Sequence, residues 1–222
     1  LALATQKDVI LTICFHWFSP MAGRDKAFYT EHTDFDPTKI LQEGSAEEAA
    51  FYRDLKSIGE ELRKFAEAGI PILWRPFHEV EGTWFWWGSK GGEVAAKLYR
   101  KMYHYFVDEL ALNNLLWVWS APTKEAYPGD EYVDVIGWDI YLPEKKATDY
   151  ASYYEELRAN TTTHKVAALT EVGYDPDVAL LARSHVPWAY YMTWSKEFCL
   201  GEQYNTKEEL RALYGSEYAI KN

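Results

Sequence analysis

Short apolar runs alternate along this chain with longer segments in which apolar residues recur every three or four positions. Runs that are almost continuously apolar or β-branched are typical of parallel strands, because both faces of such a strand are covered. Six strands are therefore predicted. They cover residues 9–17, 70–77, 115–120, 133–141, 166–170 and 188–194.

The longer segments predict helices. The clearest helix begins at Ser45 and Glu48, which form a capping-box pattern, and it ends at Gly69, just before Pro71. Because strands and helices alternate, the chain is predicted to have an α/β fold with a parallel sheet. Further helices are predicted over residues 93–110, 150–160 and 208–214.

The predicted strands end in polar and aromatic residues rather than in a glycine-rich turn. An open sheet that binds a nucleotide would show such a turn after an early strand. Polar residues at the carboxyl ends of several strands are instead typical of the active site of a (β/α)₈ TIM barrel. Since a barrel needs eight strands, about six of its eight βα units are predicted here, in a single domain over residues 1–222. The strand-end residues are His16, His78, Glu79, Ser120, Asp139, Tyr141, Glu171 and Trp194.

Charge and composition narrow the choice of partner. The chain carries 23 basic and 34 acidic residues, a net charge of −11 that would repel a nucleic acid. No apolar run is long enough to cross a bilayer, so no membrane insertion is expected. Aromatic residues make up 17% of the chain, which indicates either rings that stack on sugars in a cleft or an aromatic-rich core. The two cysteines form no disulfide framework, and both are expected to be buried thiols.

Two glutamates are the candidate catalytic residues. Glu79 ends the second predicted strand and Glu171 closes the fifth. A carboxyl group at the mouth of a buried strand tends to have a raised pKa, which lets it hold a proton near neutral pH. Two carboxylates facing each other at roughly 5–5.5 Å perform retaining glycoside hydrolysis. The alternative, that each Glu only pairs with an arginine or caps a helix, is equally open from pattern alone.

Other hydrolytic chemistries lack their motifs. His78-Glu79 is not followed by the second histidine of a zinc protease, because residue 82 is glycine. No serine lies in a Gly-x-Ser-x-Gly turn, and neither cysteine is expected to have a nearby histidine partner. No metal or organic cofactor is expected.

A long motif resembles the signature of glycoside hydrolase family 26. It runs Arg-Pro-Phe-His-Glu over residues 75–79 and continues to Trp-Phe-Trp-Trp-Gly over residues 84–88. Three further blocks are similar to the same family in the same order, at His16-Trp17, over residues 127–141 and over residues 170–173. The resemblance implies a (β/α)₈ barrel and a β-mannanase-like activity. It also implies that the visible strands are the third to the eighth, with the first two lying upstream of Leu1.

The resemblance assigns a role to each candidate. Glu79 matches the acid/base and Glu171 the nucleophile. His78 would shape the sugar subsite at the scissile bond, while Arg75 and Tyr141 would keep Glu171 ionised. The remaining substrate-binding candidates are His16, Trp84, Asp139 and Trp194.

The implied activity is internal cleavage of a mannan, glucomannan or galactomannan with retention of configuration. Mixed-linkage β-glucan or β-1,3-xylan is an alternative substrate, and a non-catalytic carbohydrate-binding protein is a more distant one. A polymer substrate favours a secreted, periplasmic or cell-surface location. The sequence does not indicate the oligomeric state.

Overall fold

The computed structural model describes residue 5, residues 9–21 and residues 23–220. The chain divides into two compact units, Leu1–Asp134 and Val135–Asn222. Each unit contains parallel strands that alternate with helices, so the predicted α/β class is confirmed, and so are all six predicted strands.

The first unit contains three parallel strands, β1 (Leu11–Ile13), β2 (Ile72–Trp74) and β3 (Leu115–Ser120). Every residue of β2 is buried. β1 and β2 are shorter than predicted. Pro71 precedes β2 and Pro76 follows it. Because proline has no N–H to donate to a neighbouring strand, β2 pairs with β1 and with β3 over only three residues.

Two helices cover these strands, α1 (Ala46–Glu67) and α2 (Gly92–His104). Their inner faces supply fully buried side chains to the core, among them Phe51 and Leu55 from α1 and Leu98 from α2. The segment Tyr105–Glu109 continues α2 as a π-helical turn, so the predicted helix over 93–110 changes its geometry in the last third.

Only half of the predicted capping box at α1 is present. The hydroxyl of Ser45 accepts from the backbone N–H of Glu48 at 2.9 Å, as predicted. The Glu48 carboxylate, however, accepts from the N–H of Gly44 and from the ammonium of Lys101 on α2, both at 2.7 Å. The Glu48 carboxylate therefore forms an ion pair with Lys101 of another helix instead of completing the capping box.

The second unit contains the parallel strands β4 (Val135–Ile140), β5 (Val166–Val172) and β6 (Trp188–Thr193). Between them lie the helices α3 (Ala151–Arg158) and α4 (Val178–Ser184), and α5 (Lys207–Gly215) follows β6. The core of this unit consists of Ile140, Leu142, Tyr150, Leu169 and Val172.

Helix α4 was not predicted, because its seven residues are too few to establish a helical repeat. Its start is nevertheless marked in the sequence, since Asp177 caps the helix by accepting from the N–H of Leu180. Among the described residues, no helix has the length and apolar character needed to span a membrane. The prediction of two buried thiols is wrong for Cys199, which is exposed, while Cys14 is partly buried.

Candidate active site

Arg75 follows β2 directly and is 1% exposed. Its backbone N–H donates to the carbonyl of Ile13 at 3.0 Å, and its guanidinium donates to Oγ of Ser120 at 3.2 Å. Both partners belong to the neighbouring strands β1 and β3. Arg75 therefore places a fixed positive charge at the carboxyl ends of the three strands of the first unit.

His78 and His16 lie beside this charge. His78 is 2% exposed, and its ring meets that of His16 edge-on with centroids 5.2 Å apart. Its Nδ1 is 3.3 Å from Sγ of Cys14, so the prediction that neither cysteine has a nearby histidine partner is wrong for Cys14. Burial, Arg75 and His16 together hold the pKa of His78 well below 6.5. Burial and Arg75 also lower the pKa of His16. His78 is therefore a neutral imidazole at neutral pH, able to hydrogen-bond without carrying charge.

Glu79 has an unusual backbone conformation. Its φ is 55°, and that of Phe77, two residues earlier, is 52°. Non-glycine residues adopt this left-handed region at a cost and keep it only where surrounding contacts enforce it. Here the N–H of Glu79 donates to the carbonyl of Ser120 at 3.1 Å, and the carbonyl of His78 accepts from the indole of Trp87 at 2.8 Å. These contacts turn the chain so that the Glu79 carboxylate remains partly exposed.

Trp84 contacts this carboxylate directly. Its Nε1 donates to Oε2 of Glu79 at 2.8 Å, while 47% of the Trp84 residue surface is exposed. A Cβ at Gly82 would lie 2.2 Å from the Trp84 ring, so glycine is required for the indole to occupy this position. The neighbouring Trp86 and Trp87 are buried instead. Of the three tryptophans of the motif, only Trp84 therefore offers a ring to a ligand.

The second unit carries the other predicted carboxylates. Asp139 on β4 pairs with Glu171 on β5 after a register shift between Trp138 and Asp139. Asp139 is 8% exposed and Glu171 is 2% exposed. The hydroxyl of Thr170 donates to Oδ1 of Asp139 at 2.7 Å.

Tyr141 lies just beyond β4, with 41% of its surface exposed. Its hydroxyl donates to Oε2 of Glu171 at 2.7 Å. A hydrogen bond to a carboxylate favours its ionised form, which is the form that a nucleophile requires. Trp194 follows β6 and donates its backbone N–H to the carbonyl of Val172 at 3.0 Å, so it lies at the same end of this sheet.

Two groups of predicted site residues are thus assembled, each within its own unit. The first consists of His16, Arg75, His78, Glu79 and Trp84, and the second of Asp139, Tyr141, Glu171 and Trp194.

Sequence reasoning missed two residues of the second group's surroundings, Phe198 and Asn205. The Phe198 ring lies beside that of Tyr141, with centroids 5.6 Å apart. Asn205 is 4% exposed and bonds three backbone groups. Neither residue belongs to a motif. The only nearby signal is the pattern Thr206 to Glu209, a complete capping box that fixes the start of α5 directly after Asn205.

Comparison with known proteins shows the family of this chain. The sequence model of glycosyl hydrolase family 26 matches residues 4–222. The chain belongs to this family. A mannan endo-1,4-beta-mannosidase from Thermothelomyces thermophilus is 33% identical over 97% of this chain and 46% of its own length. A mannan endo-1,4-beta-mannosidase of Bacillus subtilis is 30% identical over 84% of this chain and 56% of its own.

Solved structures agree with this membership. The Podospora anserina GH26-CBM35 β-(1,4)-mannanase superposes with a TM-score of 0.89 at 34% identity, over 95% of this chain and 49% of that one. A β-mannanase from a symbiotic protist of the termite Reticulitermes speratus, solved with a gluco-manno-oligosaccharide, gives a TM-score of 0.87 at 35% identity. It covers 95% of this chain and 66% of that one. The chain spans about half the length of the first of these mannosidases.

Proposed function

We propose that this family 26 glycoside hydrolase cleaves β-1,4-mannan internally, with retention of anomeric configuration. One observation carries the proposal. In a chain that matches the family over residues 4–222, Glu171 lies near the carboxyl end of β5 and Glu79 lies in the turn that follows β2. Each accepts a hydrogen bond from an aromatic side chain. The names of the relatives from Thermothelomyces thermophilus and Bacillus subtilis support the choice of substrate.

The proposed chemistry requires the two carboxyl groups to face each other across one sugar, about 5–5.5 Å apart, as in retaining glycosidases. Glu171 is then the nucleophile and Glu79 the acid/base. Their environments suit this division. Glu171 is almost fully buried and receives a phenolic hydrogen bond, whereas Glu79 is partly exposed and can exchange protons with water.

In the first step, a carboxylate oxygen of Glu171 attacks the anomeric carbon while the glycosidic C–O bond breaks. Glu79 gives its proton to the departing oxygen, so the leaving chain departs as a neutral alcohol. In the second step, Glu79 accepts a proton from water as that water attacks the anomeric carbon. The glycosyl ester bond breaks, Glu171 returns to a carboxylate, and two inversions give net retention.

The other site residues bind and orient in this proposal. Arg75 and Tyr141 keep Glu171 ionised. His78, whose pKa is lowered by burial and Arg75, offers a neutral imidazole to a sugar hydroxyl. The exposed face of Trp84 and the ring of Trp194 form aromatic walls against which a sugar packs. His16 and Asp139 supply further polar contacts.

Mannan, glucomannan and galactomannan are the proposed substrates. The termite-symbiont β-mannanase was solved with a gluco-manno-oligosaccharide, which supports a backbone of mixed glucose and mannose. Mixed-linkage β-glucan and β-1,3-xylan are the substrates to compare in the same assay. Products resolved by size should be a ladder of oligosaccharides from mannan; only monomer or dimer from chain ends would contradict internal attack.

The decisive test replaces each carboxylate in the full-length protein. Glu171→Ala and Glu79→Ala should each lose at least about 10³-fold in kcat/KM on mannan. Added azide identifies the role. It should yield an α-glycosyl azide with Glu171→Ala, because one inversion remains, and a β-glycosyl azide with Glu79→Ala. Glu155→Ala, on the exposed face of α3, is the matched control. Full hydrolysis by both active-site variants would show the proposal to be wrong.

We further propose that this chain is part of one catalytic domain that closes as a (β/α)₈ barrel, with two more βα units N-terminal to residue 1. The length of the relatives supports this. An apolar groove next to β1, lined by Ile13, Phe15, Leu62 and Trp74, also supports it, because further units would cover these side chains. A crystal structure of the full-length protein in which β1 remains an edge strand would contradict it.

A secreted, periplasmic or cell-surface location is also proposed, because a polymeric substrate cannot readily enter a cell. Mannan hydrolysis should therefore be found outside the producing cells or at their surface. Activity confined to the cytosolic fraction would contradict this location.

A further inference from the structure

Asn205 joins two loops of the second unit through three hydrogen bonds to the backbone. Its Oδ1 accepts from the N–H of Asp175 at 2.8 Å. Its Nδ2 donates to the carbonyl of Gly173 at 2.9 Å and to that of Phe198 at 3.1 Å. The side chain is 4% exposed, so these bonds are shielded from competing water. The carboxamide therefore fixes the loop after β5 to the loop after β6.

The two carbonyls that Asn205 holds belong to residues packed around Tyr141. A Cβ on Gly173 would lie 2.9 Å from the Phe198 ring and 3.3 Å from the Tyr141 ring, so the three residues pack without spare room. Phe198 also packs on Tyr204, with ring centroids 4.2 Å apart. The Phe198 ring thus packs against both the Tyr204 ring and the Tyr141 ring.

Tyr141 needs this support. The residue is 41% exposed and lies just beyond the end of β4. An exposed tyrosine can rotate about its side-chain bonds, and a hydrogen bond contributes only when donor and acceptor are held in line. The 2.7 Å bond to Glu171 therefore depends on the packing of Phe198 against the phenol ring.

We propose that Asn205 is a positioning residue for the nucleophile: by holding Gly173 and Phe198 it keeps Tyr141 hydrogen-bonded to Glu171. The inference rests on the proposed role of Glu171. It adds a residue with no contact to the sugar and no place in any motif. Asp175 extends the same network, since its Oδ1 accepts from the hydroxyl of Thr193, the residue before Trp194.

The test uses Asn205→Asp in the full-length protein. This near-isosteric variant keeps an acceptor for the N–H of Asp175 but loses the amide group that donates to both carbonyls: an ionised Asp donates to neither, and a protonated Asp to only one. The acid limb of the kcat/KM profile reports the protonation of Glu171 in the free enzyme. Without the phenolic hydrogen bond the carboxylate is less stable, so this limb should move to higher pH by about one unit. At the optimum, kcat/KM should fall about tenfold.

The chain offers a matched control in Asn160. This asparagine is also 4% exposed in the second unit, and its Nδ2 donates to the carbonyls of Glu156 and Leu157 at the end of α3. Asn160→Asp should lower the free energy of unfolding by about as much as Asn205→Asp does. It should leave the acid limb of the kcat/KM profile in place. Comparison of the two separates positioning from a general loss of folding.

Two more variants complete the design. Tyr141→Phe removes the phenolic donor itself. The kcat/KM of the double variant Asn205→Asp/Tyr141→Phe should therefore be no lower than that of Tyr141→Phe alone. Phe198→Leu leaves Asn205 intact and should move the acid limb in the same direction by a smaller amount. It keeps the proposal testable should Asn205→Asp fail to fold.

Two results together overturn the proposal. The acid limb stays at the wild-type pH in Asn205→Asp and in Phe198→Leu, and the loss of kcat/KM in each variant multiplies with the loss in Tyr141→Phe when the two changes are combined. A ¹³C NMR titration of the Glu171 carboxyl group, assigned with Glu171→Gln, gives the same answer without substrate. A raised pKa in Asn205→Asp supports positioning, and an unchanged pKa refutes it. Failure of the proposed function would look different, since Glu171→Ala would then still hydrolyse mannan.

Discussion

The indole nitrogen of Trp84 lies 2.8 Å from Oε2 of Glu79, and the glycine at position 82 provides the space for that ring. Nearly half of the surface of the Trp84 residue is also exposed to solvent. Trp84 is therefore placed both to orient the proposed acid/base and to present an apolar face to a sugar. The position of the Trp84 ring therefore depends on Gly82, which has no side chain.

Gly82→Ala should consequently reduce activity through Trp84. The added Cβ would lie 2.2 Å from the ring and must displace it, because an indole cannot give way as a flexible side chain does. We expect kcat/KM on mannan to fall about 10–100-fold, with KM raised as well as kcat lowered. Gly201→Ala is the control, since a Cβ there meets nothing within 4 Å. Equal activity of the two variants would contradict the steric argument.

Tyr141→Phe tests the hydrogen bond to Glu171. Loss of a donor to a carboxylate destabilises its charged form, so the acid limb of the kcat/KM profile should move to higher pH, by about one unit. Activity at the optimum should fall about 10–100-fold. Tyr218→Phe, at an exposed position near the C-terminus, is the control. An acid limb that stays in place would mean that the phenol does not tune the nucleophile.

His78 should make the protein less stable in acid. Its pKa in the folded state is held well below 6.5 by burial, Arg75 and His16, whereas in the unfolded chain it returns to its ordinary value. The unfolded state therefore binds more protons below about pH 6.5, and the free energy of unfolding decreases as pH falls through this range. One such group contributes a slope of at most about 1.4 kcal/mol per pH unit.

Urea unfolding at pH 5, 6 and 7 measures this slope. His78→Gln should flatten it, because the variant has no imidazole to protonate on unfolding. His164→Gln, at an exposed histidine, is the matched control and should leave the slope unchanged. If both variants show the wild-type slope, the acid sensitivity has another origin.

Gly137→Ala should destabilise the second unit. A Cβ at this position on β4 would lie 2.3 Å from Cγ2 of Thr170 on β5, and Thr170 also donates to Asp139. Displacing this side chain should cost about 1–3 kcal/mol in the free energy of unfolding, which chemical denaturation measures. Gly215→Ala, with nothing within 4 Å of its Cβ, should stay within about 0.5 kcal/mol of wild type.

Much of this fold could be predicted because its signals are local. Each of the six strands is a run of apolar residues, and α1 and α2 carry a repeat of three or four residues. The strand lengths could not be read in the same way. β1 was predicted over residues 9–17 but pairs only over Leu11–Ile13, because its length is set by a partner strand between two prolines.

The backbone at the proposed acid/base also lies beyond sequence reasoning. Nothing in the letters Phe-His-Glu indicates left-handed conformations at Phe77 and Glu79. These conformations are enforced by a hydrogen bond from the indole of Trp87 to the carbonyl of His78 and by one from the N–H of Glu79 to Ser120 on another strand. The same holds for Asn205, whose three partners lie in two different loops.

The sequence by itself determined the class of fold, the order of the six strands and four of the five α-helices in the described part of the chain, and it predicted Glu79 and Glu171 as candidate catalytic residues. These follow from hydrophobic periodicity and from residue type at the ends of strands, which are properties of short segments. Only the tertiary structure decided which backbone conformation Glu79 adopts, which histidine has its pKa lowered most by burial, and which asparagine joins the loops after β5 and β6. Those outcomes depend on burial and on hydrogen bonds between segments far apart in the chain, and no short segment specifies them.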